Sequence, residues 1–334
     1  MSNALSTDTV IVGAGAAGLL LAARLAESGR RVTVLEAGPK RSTDDLISSQ
    51  IWARRLKWSG PQVEELGDHK VGHAFNAGFG TGGSALHHYG VWLRLHPGDF
   101  RVASDHGVGL DWPIDYQTLQ PHYDKIQSEV GLSGDADAEI WRPEGAAYPM
   151  PPMPLFAQAR ILQKGFEKTG RRTAPLPLAI NSQPYQGRAA CQFDGWCDAG
   201  CPIGALANPL VTYLPRAQKA GVQFEHNALV SRVLRDPNKA ARIRGVEYFQ
   251  GGERHTITAK DVIIAAFTVQ SARILLSSAA DTTPAPGNRF DQLGRYLTSH
   301  PAATVFGLFD EPTYPHQGVS GGQLLSHDDY DNKQ

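Results

Sequence analysis

Val10-Ile11-Val12-Gly13-Ala14-Gly15-Ala16-Ala17-Gly18-Leu19 decides the fold of this chain. Three β-branched residues run into a G-x-G-x-x-G turn, an Ala/Leu-rich stretch follows to Ser28, and Val32-Thr33-Val34-Leu35 reads as a second strand. Strand, turn, helix and strand in this order make a βαβ unit. The first glycine permits the tight turn, the second lets the backbone approach a pyrophosphate, and the third lets helix and strand pack closely. The helix amino terminus offers unpaired N–H groups and a partial positive charge to phosphates. Glu36 ends the second strand about 20 residues beyond the turn, where a carboxylate can accept hydrogen bonds from ribose hydroxyls. These features point to a bound dinucleotide without choosing between FAD and NAD.

The rest of the composition narrows the class. A chain of 334 residues has room for two domains, or for one with a sizeable insertion. Hydrophobic residues make up 41% and charged residues 19%, and the net charge of -1 leaves no electrostatic footprint for nucleic acid. The longest apolar runs, such as residues 262–269, fall short of the ~20 residues that cross a bilayer. Residues 1–9 contain neither a basic nor an apolar segment, so no secretory signal is visible.

Residues 39–80 read as mostly loop, closed by a glycine-dense turn at 78–83. Between about 100 and 190 the chain is proline-rich, which suits extended packing, with one helix expected over 155–169. A helix over 210–220 should stop at Gly221. Short strands follow at 222–225, 229–234, 244–249, 255–259 and 262–266, a pattern expected of a β-meander returning to a parallel sheet. A helix over 268–277 comes next.

Cys191, Cys197 and Cys201 are the only cysteines, in Cys191-x5-Cys197-x3-Cys201-Pro202. Three thiolates on a short glycine-containing loop can wrap a small sulfur-bridged iron cluster, and a proline after the last ligand commonly accompanies one. A 3Fe-4S cluster needs three such ligands. The other readings are a group of nonligating thiols, a zinc site and a disulfide. Zinc would need a fourth donor, with His226 the nearest following histidine, and a disulfide would leave one thiol over.

With these residues in view the chain resembles the glucose–methanol–choline (GMC) oxidoreductases, and within them the FAD subunits of bacterial sugar and sugar-acid dehydrogenases. The likeness is carried by residues 10–38, by Gly82-Gly83-Ser84-Ala85-Leu86-His87, by Asp111-Trp112-Pro113, by the cysteine loop, by Gln270-Ser271-Ala272-Arg273 and by Ser299-His300-Pro301. The resemblance implies an α/β fold. Its Rossmann-like FAD-binding domain, a parallel sheet plus β-meander, would comprise residues 1–110 and 190–301 and include the cysteine loop. An incomplete α+β substrate domain would comprise 111–189 and 302–334. FAD would be held by Gly13, Gly15, Gly18 and Glu36, with Gly82, Gly83 and Ser84 near the flavin and pyrophosphate and the Val230 backbone at the adenine. His87 matches a histidine that some relatives bond to the flavin 8α carbon. His300 is expected to hold a chain turn rather than act as the base, and Trp92 and Trp112 to pack in the core.

The activity implied is FAD-dependent oxidation of a CH–OH group in a sugar, sugar acid or polyol. Electrons would pass through a 3Fe-4S cluster on the three cysteines to a membrane cytochrome c subunit. Relatives place the catalytic histidine in a segment expected beyond Gln334, so the chain reads as truncated. The resemblance also implies a small export or chaperone subunit and a periplasmic location, with the cytoplasm as the alternative. Two other functions stay open: an oxidase of GMC type that uses oxygen, and a non-catalytic FAD-binding or electron-transfer fragment.

Overall fold

The computed structural model describes residues 5–60, 63–68, 70, 75–279, 284–300 and 302–330. In chain order its strands and α-helices are β1 Leu5–Val12, α1 Ala16–Glu27, β2 Val32–Leu35, α2 Gln50–Ala53, α3 Val102–His106, α4 Tyr116–Val130, α5 Ala157–Lys168, β3 Ala174–Pro175, α6 Tyr213–Lys219, β4 Gln223–Glu225, β5 Leu229–Asp236, β6 Lys239–Gln250, β7 Glu253–Ile264, α7 Thr268–Leu276 and β8 Leu324–Leu325. They fall into two compact units, Met1–His87 with Asn208–Phe306, and His88–Ala207 with Gly307–Gln334. Among the described residues no helix is long and apolar enough to cross a membrane.

The first unit is built on one six-stranded sheet of order β4-β2-β1-β7-β6-β5. β1, β2, β4 and β7 run parallel, and β7, β6 and β5 continue as an antiparallel meander. Val10 and Ile11 of β1 and Val34 of β2 are fully buried, as strands covered on both faces require. Each such side chain contributes about 1.5–3 kcal/mol. α1 buries Gly18, Leu19, Ala22, Ala23 and Ala26. It ends where Gly29 turns to φ 87° and donates to Ala26 O. α6 stops at Gly221 as expected, with φ 83° there.

The two strands expected at 255–259 and 262–266 are one strand, β7, in register with β1 from Leu5↔Ile257 to Val12↔Ile264. Lys260 and Asp261 looked like an interruption. Their side chains instead reach Asp8 (2.9 Å) and Arg30 at the surface, and β7 keeps the same register with β1 on either side, from Thr7↔Ala259 to Thr9↔Asp261. In the stretch read as loop over 39–80, α2 and short 3-10 turns at Thr43–Asp45 and Arg54–Leu56 form, bringing Leu46 and Leu56 into a core cluster with Leu86 and Leu210.

The second unit differs more from expectation. The proline-rich stretch contains α4, whose Asp115 cap accepts the Thr118 N–H at 2.8 Å and whose interior carries Pro121. The missing proline N–H is outweighed by side-chain anchoring. Arg94 reaches Asp124 and Gln127 on successive turns at 2.5 and 2.7 Å, and Gln127 donates to Ala146 and Ala147 carbonyls. The boundaries expected at 110 and 190 move to 87 and 207. Residues on either side are tied into this unit by Trp92 N–H to Pro177 O, Ala179 N–H to Gly90 O and Asn181 N–H to Ala205 O. The cysteine loop therefore belongs to this unit and not to the six-stranded sheet. Trp112, expected in the core, is 54% exposed, with one face tilted against Phe100 at 6.0 Å. His300 is exposed, and its partner Pro301 lies outside the described residues.

Candidate functional site

A cleft of about 380 Å³ opens in the first unit where β1, β2, β5 and α7 meet the glycine turn. Gly13 sits at φ 103°, and a Cβ there would stand 2.5 Å from Ala265 O. One on Gly18 would stand 2.0 Å from Gly13 O. Both glycines are thus demanded by the protein's own packing. Gly15 is not: a Cβ on it would meet nothing within 4 Å and would point into open space. Gly15 caps α1, and Ala16 and Ala17 of its first turn line the cleft, so N–H groups without helical acceptors face it.

Gly82 and Gly83, at φ 99° and 56°, form a second glycine turn. Gly82 N–H donates to Ala14 O at 2.8 Å, and a Cβ on Gly83 would lie 3.0 Å from Gly15 Cα. Ser84 lines the cleft while its Oγ accepts the Gly78 N–H at 2.8 Å. Glu36 is 8% exposed. Its Oε2 accepts Ala14 N–H at 2.8 Å, and its Oε1 accepts Gly38 and Gly80 N–H at 2.9 and 3.2 Å. An ionised carboxyl has about four acceptor positions, so one remains for a ribose hydroxyl. Val230 lines the opposite wall, and its carbonyl accepts from Arg273 Nη2 at 3.0 Å.

The structure thus gathers Gly13, Gly15, Glu36, Gly83, Ser84 and Val230 around one cleft, with Gly18 and Gly82 packed behind it. His87 is buried and follows the 3-10 turn Gly83–Leu86, but it is not among the cleft-lining residues. Arg273 and Phe267 are among the lining residues that the sequence reading did not assign to the site. Arg273 lies in a quoted motif, which was its only signal. Phe267 had none, yet it adopts φ 66°, ψ 160° at the start of α7 with its ring edge-on to Phe75. The open space at Gly15, the helix terminus and the spare acceptor on Glu36 fit an FAD dinucleotide. A larger hollow of about 720 Å³ lies away from the glycine turn, where Arg30 pairs with Asp261. It has no comparable phosphate cradle.

The thiols form a separate group in the second unit. All three are free, and they pack in one apolar cluster with Leu178, Ile180, Leu206 and Val319. The loop turns through residues at positive φ, namely Phe193, Gly195, Gly200 and Gly204. Cys191 Sγ accepts the Phe193 N–H at 3.3 Å, and Cys201 Sγ accepts the Leu206 N–H at 3.5 Å. The Cys197 N–H donates to Ser320 Oγ at 3.1 Å, and that hydroxyl donates to Gly195 O at 2.7 Å. Burial pushes Cys191 up to about 11 and raises Cys197 as well. Among the described residues no three His, Cys, Asp or Glu side chains converge as ligands of a single metal ion. His226, the one histidine considered for zinc, bonds Thr81 Oγ1 at 2.9 Å in the first unit. In donor chemistry, three unpaired thiols in a shared apolar core with N–H groups on two sulfurs, the loop fits an iron–sulfur cluster.

A family model described as GMC oxidoreductase matches residues 7–302. The chain is 30% identical to the fructose dehydrogenase large subunit of Gluconobacter japonicus, over 95% of this chain and 63% of the relative. It is 27% identical to the gluconate 2-dehydrogenase flavoprotein of Pantoea cypripedii, over 97% and 61%. In fold it is similar to formate oxidase, with a TM-score of 0.55 at 19% identity over 84% of this chain and 48% of that one. Pyridoxine 4-oxidase from Mesorbium loti is similar too, with a TM-score of 0.53 at 22% identity over 82% and 52%. The chain therefore spans about six-tenths of these curated relatives and about half of these solved structures. With the glycine cleft and the mixed sheet in place, the family match leads to one conclusion: this chain belongs to the GMC oxidoreductases.

Proposed function

We propose that this chain is the flavin-carrying part of a dehydrogenase that oxidises a CH–OH group of a sugar, sugar acid or polyol. The observation that carries the reading is the pairing of a glycine-lined dinucleotide cleft with three free, clustered thiols. FAD bound in the cleft supplies the hydride acceptor. The residues of this chain bind and orient it. N–H groups at the start of α1 would hold the pyrophosphate and the spare Glu36 acceptor position a ribose hydroxyl, while Val230 and Phe267 line the cleft. Gly82 and Gly83 keep the second turn against Gly15. A covalent link from His87 to the flavin rests on the resemblance alone.

Cys191, Cys197 and Cys201 would hold a 3Fe-4S cluster, a one-electron acceptor suited to passing electrons to a cytochrome partner. On this reading a small export subunit carries the protein to the periplasm, where it works at the membrane through its partners.

Anaerobic purification followed by assay of flavin, iron, acid-labile sulfide and low-temperature EPR tests the proposal. FAD together with iron and sulfide in cluster ratio is expected. Protein without iron, sulfide or an EPR signal sinks the cluster. Rapid peroxide formation from a CH–OH donor without added acceptor would make the chain an oxidase. Tight FAD binding without turnover in the complete protein, with any acceptor, would make it a binding fragment.

A further inference from the structure

Arg188 lies three residues before Cys191, and only 9% of it is exposed. Its guanidinium donates to the carbonyls of Gly204, at 3.3 Å, and Val130. Gly204 in turn closes the cysteine loop by donating to Cys201 O at 3.2 Å. Arg188 thus braces the turn that carries the last cysteine. Its backbone is fixed by reciprocal hydrogen bonds with Tyr185, and Gly131 lacks the Cβ that would stand 2.9 Å from Nη2.

The charge on this side chain is unaccounted for by the protein. Among the described residues no carboxylate pairs with Arg188. The groups that act on it electrostatically are the Cys201 thiol and the Tyr185 phenol. A buried cation without a counterion is costly. The second unit pairs its other deep guanidinium groups with carboxylates: Arg94 has Asp124 and Arg142 has Glu139. Main-chain carbonyls satisfy donors on Arg188 but leave its charge uncompensated.

We propose that Arg188 is the built-in countercharge of the anionic group held by Cys191, Cys197 and Cys201. The inference rests on the cluster reading above and deepens it. Three thiolates around iron and sulfide are net negative, and iron–sulfur potentials respond to local charge, hydrogen bonds to sulfur and solvent exposure. A fixed positive charge at the loop favours the electron-rich form, so Arg188 raises the reduction potential and makes the cluster a better electron acceptor. It is a positioning residue, since it acts through the loop and its field.

The test is an EPR-monitored redox titration of the full chain, reconstituted anaerobically with iron and sulfide, as wild type, R188K and R188M. R188M is expected to load cluster and be on the order of tenfold harder to reduce, which is ~59 mV for one electron. R188K should stay near wild type. Loss of cluster loading in R188M but not in R188K, with FAD binding retained, equally supports the need for the charge. An unchanged R188M midpoint overturns the inference and leaves the cluster standing, and so does R188K failing alongside R188M. Wild type that takes up no iron or sulfide overturns the cluster reading itself, and the inference with it.

Discussion

The carboxylate of Glu36 accepts the Ala14 N–H at 2.8 Å, tying the end of the second strand to the middle of the glycine turn. Two more N–H groups, from Gly38 and Gly80, share the same carboxylate. Glu36→Ala leaves three buried donors without an acceptor and should destabilise the first unit by about 3 kcal/mol. Glu36→Gln keeps one oxygen acceptor and should cost less. Urea denaturation of the two variants checks this, and FAD titration by fluorescence quenching should show weaker binding in both.

Gly13 and Gly15 look alike in sequence but should separate by experiment. A methyl group at Gly13 meets Ala265 O and needs a φ of 103°, so Gly13→Ala should fold poorly. At Gly15 the methyl group meets no protein atom. Gly15→Ala should therefore keep the wild-type Tm while weakening FAD binding at least tenfold. Equal FAD affinity in Gly15→Ala and wild type would remove the pyrophosphate from this site.

Phe267 holds a backbone conformation that costs a non-glycine residue about 1–3 kcal/mol. Phe267→Gly relieves that strain while losing a ring that is 42% exposed, so its stability should stay within about 1 kcal/mol of wild type. Phe267→Val retains the strain and adds branching at Cβ, and should lose about 2 kcal/mol. Matched denaturation curves for glycine and valine would contradict this account.

Asp124 supplies a pH dependence in the second unit. Burial pushes its carboxyl upward, but the Arg94 guanidinium and the Ala146 N–H outweigh that, so its pKa lies below the ordinary value. A carboxylate depressed in the folded state contributes its stability above the unfolded value of about 4 and loses it as pH falls through the folded value. Wild type should therefore lose more stability between pH 6 and pH 3 than Asp124→Asn, which should be weaker at pH 6 because Arg94 loses its partner. Denaturant midpoints at both pH values check the sign.

Local pattern made much of this chain legible. The β-branched run 10–12, the alanine-rich helix and the glycine spacing read directly as a βαβ unit, because strand and helix periodicities and turn glycines are properties of neighbouring residues. The stop at Gly221 and the helix before it were visible for the same reason. Where local pattern misled, a distant partner was responsible. Pro121 interrupts the helical pattern of α4, which Arg94 grips on two of its turns, and Lys260-Asp261 interrupts the apolar pattern of β7, where Asp8 and Arg30 pair with them from the neighbouring strand and loop.

The sequence by itself determined the dinucleotide turn, the order of most strands and the grouping of the three cysteines, all encoded within short spans. Only the tertiary structure decided that Glu36 is held by three N–H groups and that Gly83 lies against Gly15. It also placed the cysteine loop among Leu178, Ile180 and Val319, with Arg188 bracing its Gly204 turn, in the second compact unit. Such contacts join residues far apart in the chain, and they arise because buried polar groups need partners and apolar side chains need cover, whichever segment can supply them.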